Sequence, residues 1–209
     1  MPQSAPPKAV NRRERNKQDK LRRIHQAARA SFEEQGYDLT TIRGIAERAD
    51  VGVGTVFLYA RDKRDLLFLI FKDDLRDQFD NAMRQVKGNA PFVEQLLAYF
   101  TPILRFLRPN GALARILVRE VFALSGEAAR DMDALRRQFN LNLQQLIEAA
   151  QQRHEVRDDI PGEVLIDSIW ANFRFYADDW LRDPDPVLRT GTKRLKTGLT
   201  LLVEGIGAG

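Results

Sequence analysis

Cysteine is absent from this 209-residue sequence, and histidine occurs only twice, at His25 and His154. Without cysteine there is no disulfide, no thiolate metal site and no thiol nucleophile, which fits a reducing compartment. The two histidines lie far apart in polar, basic stretches, and neither belongs to a metal-binding motif such as HExxH. We therefore expect neither a metal nor a cofactor.

The common motifs of enzyme active sites are missing as well. The sequence contains no glycine-rich phosphate-binding loop and no nucleophile elbow. Adjacent acidic pairs such as Asp178-Asp179 do not form a catalytic dyad by themselves, because neighbours in a helix point about 100° apart. The sequence therefore predicts no catalytic residue and a protein that is not an enzyme.

Long apolar runs are also absent. No stretch approaches the roughly 20 apolar residues of a membrane-spanning helix, and the first residues lack the apolar core of a signal peptide. We expect a cytoplasmic protein without a membrane partner. Few segments alternate with the period of two that is typical of strands, so an all-α fold is predicted.

Charge is unevenly distributed along the chain. Residues 1–65 hold 14 lysines and arginines against 9 aspartates and glutamates, whereas the remaining residues hold 19 against 20. A basic N-terminal third beside a neutral remainder favours a DNA-binding region joined to a domain that does not bind DNA. A charged run can equally be a solvated face, so this feature needs support from a motif.

Turn-forming residues divide the chain into helical segments. Residues 1–16 contain prolines and arginines with little to bury, and they predict a flexible basic arm. The first helix is predicted from Lys17 to Gln35, with Gly36 as its C-terminal stop, and Thr40 or Thr41 caps the second. The later helices are predicted at about 53–59, 62–87, 91–108, 112–124, 127–153, 162–182 and 187–205.

The stretch 40–67 carries most of the information on function. Two short helical patterns flank a tight turn at 49–52 and a longer helix follows, as in a helix-turn-helix. In register, these residues resemble the N-terminal domain of the TetR family of one-component transcriptional regulators. The matching residues are Thr41-Ile42-Arg43, Ile45-Ala46, Ala49, Val51, Gly54-Thr55, Tyr59, Lys63 and Leu66-Leu67.

The resemblance implies three regions: the arm 1–16, a helix-turn-helix DNA-binding domain 17–65, and a ligand-binding and dimerisation domain 66–209. About nine helices are expected. It also implies that the third helix enters the major groove of a double-stranded, palindromic operator. The residues expected at the DNA are Thr41, Arg43, Val53, Gly54, Thr55, Phe57, Tyr59 and Lys63.

Individual roles follow from side-chain chemistry. Arg43 is the best candidate for a base-edge contact, because arginine bound to guanine is the commonest specific pairing. Lys63 is expected to bind a phosphate. The family often has polar residues where Val53 and Phe57 stand, so binding is expected to depend more on phosphates, methyl contacts and the arm. Within the arm the arginines are candidates for the minor groove, although a tail without a role is equally open; they are Arg12, Arg13 and Arg15.

The remaining helices contain many bulky apolar residues, most of which must be core. The resemblance implies a pocket for a small effector among them, and its aromatic character favours an apolar or aromatic ligand. The expected lining residues are Phe100, Leu104, Phe122, Trp170, Phe173 and Tyr176.

The last helix carries a seam of leucine and glycine at helical spacing, in which glycine permits close helix approach. We expect this seam to form a homodimer interface, because two recognition helices must lie about 34–36 Å apart to meet successive major grooves. Its residues are Leu188, Gly191, Leu195, Gly198 and Leu202.

Two functions are therefore compared. The first is a ligand-responsive regulator, most often a repressor in this family, released from its operator by a small apolar or aromatic effector. The alternative is a DNA-binding regulator or architectural protein that is controlled by a protein partner without a small ligand. A saturable thermal shift by a small metabolite would distinguish the two.

Overall fold

The computed structural model describes residues 12–124 and 126–205. Within this part of the chain the regular structure is helical and contains no strand, so the predicted all-α class is confirmed. Short 3₁₀ turns lie at Arg108–Asn110 and Val121–Ala123. The helices are α1 (Arg12–Leu39), α2 (Ile42–Arg48), α3 (Val53–Phe57), α4 (Lys63–Arg84), α5 (Phe92–Leu107), α6 (Gly111–Glu120), α7 (Gly126–Gln152), α8 (Gly162–Trp180) and α9 (Leu188–Gly205).

The first helix begins earlier than predicted. It starts at Arg12 rather than at Lys17, so residues 12–16 of the predicted arm are helical. Arginine and glutamate are good helix formers, and Glu14 in the first turn interacts favourably with the helix dipole. Residues 1–11 of that arm, and the side chain of Arg13, lie outside the described residues.

The chain leaves α1 through a glycine kink, as the sequence predicts. Gly36 has φ 77° and ψ 166°, a conformation that residues with a Cβ rarely adopt. The Thr40 hydroxyl then donates to the carbonyls of Ser31 and Gly36, at 3.0 and 2.7 Å. Thr41 follows as the N-cap of α2, and its hydroxyl accepts from the Gly44 N–H at 3.1 Å. These local bonds fix where α2 begins.

The chain divides into two compact units, Met1–Ile70 and Phe71–Gly209. The division falls inside α4, close to the boundary predicted between residues 65 and 66. In the first unit, α1 to α3 and the start of α4 bury a small apolar core. Its members include Ile24, Ala28, Phe32, Ile45, Val56, Leu66 and Leu67, none more than 1% exposed.

An aromatic cluster forms the centre of the second unit. The rings of Phe100 and Phe173 stack with centroids 4.3 Å apart, and Phe139 lies against both Phe100 and Trp170. At its edge the Asn142 amide donates to the Tyr99 hydroxyl at 3.2 Å. Burial raises the pKa of this tyrosine. The cluster joins α5, α7 and α8 into one core.

None of the helices in the described part of the chain is long and apolar enough to cross a membrane.

Candidate nucleic-acid interface and effector cavity

The turn between α2 and α3 depends on Asp50. Its φ is 51°, a left-handed conformation that aspartate adopts more readily than most residues. The Arg23 guanidinium donates to both the side chain and the carbonyl of Asp50, at 3.0 and 3.2 Å. Gly52 then serves as N-cap of α3, with φ −67°. Arg23 thus fixes to α1 the turn that sets the angle between the two helices.

The recognition helix α3 is anchored by one residue and exposes apolar side chains around it. Val56 is fully buried, whereas Val53, Phe57 and Leu58 are 37%, 51% and 76% exposed. Gly54 is exposed, and a Cβ added there would meet no atom within 4 Å. Thr55 is half-buried. Leu58 was not singled out from the sequence; its exposure becomes evident only when α3 is seated on Val56.

The two arginines of α2 have different surroundings. Both Arg48 Nη atoms lie 2.6 Å from the Glu34 carboxylate, and this hydrogen-bonded arginine lowers the pKa of Glu34. Arg43 is also exposed, but within the described residues its guanidinium has no ion-pair or hydrogen-bond partner. Thr41 is exposed beside it at the start of the helix.

Tyr59 and Lys63 make contacts within the protein. The Tyr59 hydroxyl donates to the Lys17 carbonyl at 3.2 Å. The Lys63 ammonium donates to the carbonyls of Tyr37 and Asp38 at 2.8 and 3.1 Å and lies 4.6 Å from the centroid of the Tyr37 ring. Lys63 therefore neutralises the C-terminal end of α1, a role that the sequence did not indicate. Its predicted phosphate contact stays a prediction.

Two adjoining cavities lie within the second unit. The first cavity has a volume of about 160 Å³, and the charged side chains of Asp133 and Arg136 lie in its wall. The second cavity has a volume of about 60 Å³, and apolar atoms make its whole surface. Both cavities are lined by Phe79, Val121, Met132 and Trp170.

The predicted lining residues lie in different places. Trp170 lines both cavities and Phe173 lines the second. Phe100 and Leu104 are buried, with 0% and 2% exposure, and line neither cavity. Tyr176 packs against Gly198 of α9. The side chain of Phe122 lies outside the described residues.

Other cavity residues, such as Phe79 and Met132, were not predicted. On a helical pattern they look like any buried apolar position. Their sequence separation shows that only the packing of α4 against α7 brings them together.

The seam of α9 requires a correction, because it packs within its own chain. A Cβ at Gly191 would lie 2.8 Å from Trp180, and one at Gly198 would lie 2.1 Å from Tyr176. Leu195 is only 1% exposed in the single chain. These residues therefore seat α9 on α8 and are not available to a second subunit. The ends of the predicted seam, Leu188 and Leu202, are half-buried.

Comparisons with known proteins identify the two parts of the chain. Residues 24–70 match the family described as bacterial regulatory proteins, tetR family. Residues 89–170 match the family described as tetracyclin repressor-like, C-terminal domain.

Individual relatives agree with these matches. The transcriptional repressor Rv1474c of Mycobacterium tuberculosis is 31% identical over 152 residues, which cover 69% of this chain and 73% of the relative. The regulator HbdR of Aromatoleum is 39% identical over 79 residues, covering 38% of this chain and only 34% of the relative.

Solved structures share the fold. FadR of Thermus thermophilus in complex with lauroyl-CoA has a TM-score of 0.69 at 22% identity, covering 88% of this chain and 94% of that one. FadR of Bacillus subtilis in complex with stearoyl-CoA has a TM-score of 0.65 at 21% identity, covering 88% and 98%.

The helix-turn-helix with its exposed recognition helix, the cavity-bearing second unit and the matches to both parts lead to one conclusion. The chain belongs to the TetR family of bacterial regulatory proteins and is a ligand-responsive, DNA-binding transcriptional regulator.

Proposed function

We propose that this protein is a cytoplasmic, non-enzymatic repressor that leaves its operator when a fatty acyl-CoA occupies the cavities of the second unit. The observation that carries the proposal is the continuous apolar wall shared by the two cavities. A mostly apolar pocket with a few placed polar groups is the usual form of a small-molecule site. The curated relatives are regulators, which supports a role without catalysis.

The choice of ligand class rests on chemistry and on the structural neighbours. An acyl chain is an apolar, flexible group that fits a wall of phenylalanine, leucine, isoleucine and valine, such as that of the second cavity. The first cavity adds charged residues, Asp133 and Arg136, which suit the polar remainder of a thioester ligand. Two FadR neighbours were solved with lauroyl-CoA and stearoyl-CoA.

Operator release tests this proposal. DNA bound by the protein is first selected from a random pool, and its binding is followed by fluorescence anisotropy. We expect lauroyl-CoA to dissociate the complex with saturable dependence on concentration, whereas coenzyme A alone has no effect. If no chain length from octanoyl to stearoyl changes operator affinity, the acyl-CoA assignment is wrong. A metabolite of another class that dissociates the complex would replace it.

We also infer that the protein binds its operator as a homodimer through the outer face of α8 and α9. Val164, Ala171 and Phe175 lie on one face of α8, and the large side chains among them are 49% and 65% exposed in the single chain. The Phe175 ring lies 5.3 Å from that of Tyr176, which covers Gly198, and Leu201 follows one turn later at 64% exposure. Such a patch is typical of a subunit interface.

Placing a charge in this patch tests the interface. Phe175→Lys is expected to yield a monomer by analytical ultracentrifugation at micromolar concentration, with loss of operator binding. Leu141→Lys is the matched control, because Leu141 on α7 is 56% exposed but lies outside the patch. A dimer that survives Phe175→Lys, or a parent protein that is monomeric, would contradict this interface.

A further inference from the structure

Trp170 carries a buried hydrogen-bond donor without an acceptor. Its indole Nε1 is buried, and within the described residues no oxygen or nitrogen accepts its proton. The same side chain lines both cavities. Leaving a buried donor unsatisfied costs about 1–3 kcal/mol, so such a group requires an explanation.

The neighbours of Trp170 offer only carbon. Its ring lies 4.4 Å from that of Phe139 and 5.7 Å from that of Phe173, and neither ring has an accepting atom. The other tryptophan behaves differently, because the Trp180 N–H donates to the Val187 carbonyl at 3.0 Å. The packing around Trp170 thus satisfies the ring and leaves its N–H for a group that enters from the cavities.

We propose that the Trp170 N–H donates to an oxygen of the effector, namely the carbonyl of the acyl thioester. This inference rests on the proposed function. Trp170 lies where the two cavities meet, so a carbonyl at this point would direct the hydrocarbon chain into the wholly apolar second cavity. The rest of the ligand would face the first cavity, with its Asp133–Arg136 ion pair at 3.1 Å. Trp170 would then distinguish acyl groups from plain hydrocarbons of the same length.

The test removes each partner of the hydrogen bond in turn. The ligands are lauroyl-CoA and S-dodecyl-CoA, a thioether in which a methylene replaces the carbonyl. The proteins are the parent, Trp170→Phe and Trp180→Phe, and affinities are measured by calorimetry. We expect Trp170→Phe to weaken lauroyl-CoA binding by about tenfold more than it weakens S-dodecyl-CoA binding, because only the former loses a hydrogen bond. The parent should prefer lauroyl-CoA, and Trp180→Phe should keep that preference.

The outcomes separate this contact from the proposed function. If the parent binds both ligands equally, or if Trp170→Phe weakens both equally, Trp170 acts by packing and the inference is overturned while acyl-CoA remains the effector. If the parent binds neither ligand, the acyl-CoA assignment itself fails, and this contact fails with it. The parent comparison requires no variant, so the inference is decided even if Trp170→Phe does not fold.

A nuclear magnetic resonance measurement gives an independent readout. With two tryptophans in the chain, the indole ¹⁵N–H spectrum has two signals, which Trp180→Phe assigns. Lauroyl-CoA is expected to move the Trp170 proton downfield, as a new hydrogen bond does, and S-dodecyl-CoA is expected not to. Equal shifts with both ligands would count against the bond.

Discussion

Arg43 and Arg48 show how surroundings distinguish two residues of one type on one helix. Arg48 is held by Glu34 with both Nη atoms at 2.6 Å, so it is already committed within the protein. Arg43 is exposed and, in the described part of the chain, unpaired. An arginine that is ready to form a bidentate contact without first breaking an ion pair is the better candidate for a base edge.

We therefore predict that Arg43→Ala weakens binding to the selected operator by ~1–3 kcal/mol and relaxes the preference at one base pair. The protein should keep its thermal stability, because the side chain makes no contact that folding requires. Arg48→Ala is the matched control and should leave the base preference unchanged. Binding-site selection with both variants is the measurement, and an unchanged preference for Arg43→Ala would show that Arg43 reads no base.

Phe57 makes a second residue-level prediction. Its ring is 51% exposed on α3, next to other exposed apolar side chains, and the methyl group of thymine is the apolar feature of the major groove. Replacing the thymines of each half-site by deoxyuridine, one at a time, should weaken binding at one or more positions. Phe57→Ser should abolish that methyl dependence. If deoxyuridine changes affinity nowhere, α3 does not read methyl groups.

At the scale of the helix, α5 begins with a carboxylate from a distant part of the chain. Its own N-cap residue, Pro91, has no side-chain bond, and Glu155 Oε2 accepts from the Phe92 N–H at 2.6 Å. Burial raises the pKa of Glu155, but hydrogen bonds from Arg153 and the Phe92 N–H outweigh it and lower the pKa below the usual value. The ionised carboxylate thus stabilises the helix N-terminus.

Glu155→Gln is expected to lower the free energy of unfolding by about 1 kcal/mol at pH 7. Because the folded pKa lies below the unfolded one, this contribution is fully present above pH ~4.3 and is lost as the pH falls through the folded pKa. The difference between parent and variant in urea unfolding should therefore narrow from pH 7 to pH 3. Glu163→Gln, in the first turn of α8, is the control. A difference that does not depend on pH would contradict the role of the charge.

The joint between α8 and α9 depends on glycine for space. A Cβ at Gly198 would lie 2.1 Å from Cε2 of Tyr176, so Gly198→Ala must displace that ring. We predict a loss of about 1–3 kcal/mol of stability, the usual cost of overpacking. Gly205→Ala is the control, because a Cβ there meets nothing within 4 Å.

The cause of the Gly198 effect can be isolated with a double variant. In Gly198→Ala combined with Tyr176→Ala the clash is gone, so the double variant should lose less stability than the two single variants together. Additive losses by chemical denaturation would show that the ring is not the obstacle.

At the scale of the whole molecule, α4 is the element common to both functions. It runs from Lys63, which holds the end of α1 in the first unit, to Phe79, which lines both cavities in the second. A ligand that moves the wall at Phe79 has a continuous helix through which to affect the DNA-binding unit. We propose α4 as the route of this coupling.

Coupling between two sites must be reciprocal. If lauroyl-CoA weakens operator binding by ~1–3 kcal/mol, saturating operator must weaken lauroyl-CoA binding by the same factor. Calorimetric titrations with and without operator measure this directly. Equal acyl-CoA affinities in the two titrations would show that the cavities are not linked to the helix-turn-helix, and the release mechanism would be wrong.

The sequence by itself determined the features that depend on local chemistry. Helical periodicity, Gly36, the N-cap at Thr41 and the left-handed Asp50 predicted the helix-turn-helix, because caps and turns are set by neighbours within a few residues. Proline and glycine breaks likewise predicted the later helices to within a few residues of their observed ends.

Only the tertiary structure decided which faces meet. The seam with Gly191 and Gly198 has the same spacing whether it packs on α8 of its own chain or on a second subunit, and the positions of Trp180 and Tyr176 settle the question. Phe100 and Trp170 are both aromatic positions on helices, yet one is sealed in the core and the other lines a cavity. A helical period shows that a residue has an apolar face, but the packing partner is chosen by residues far away in the sequence.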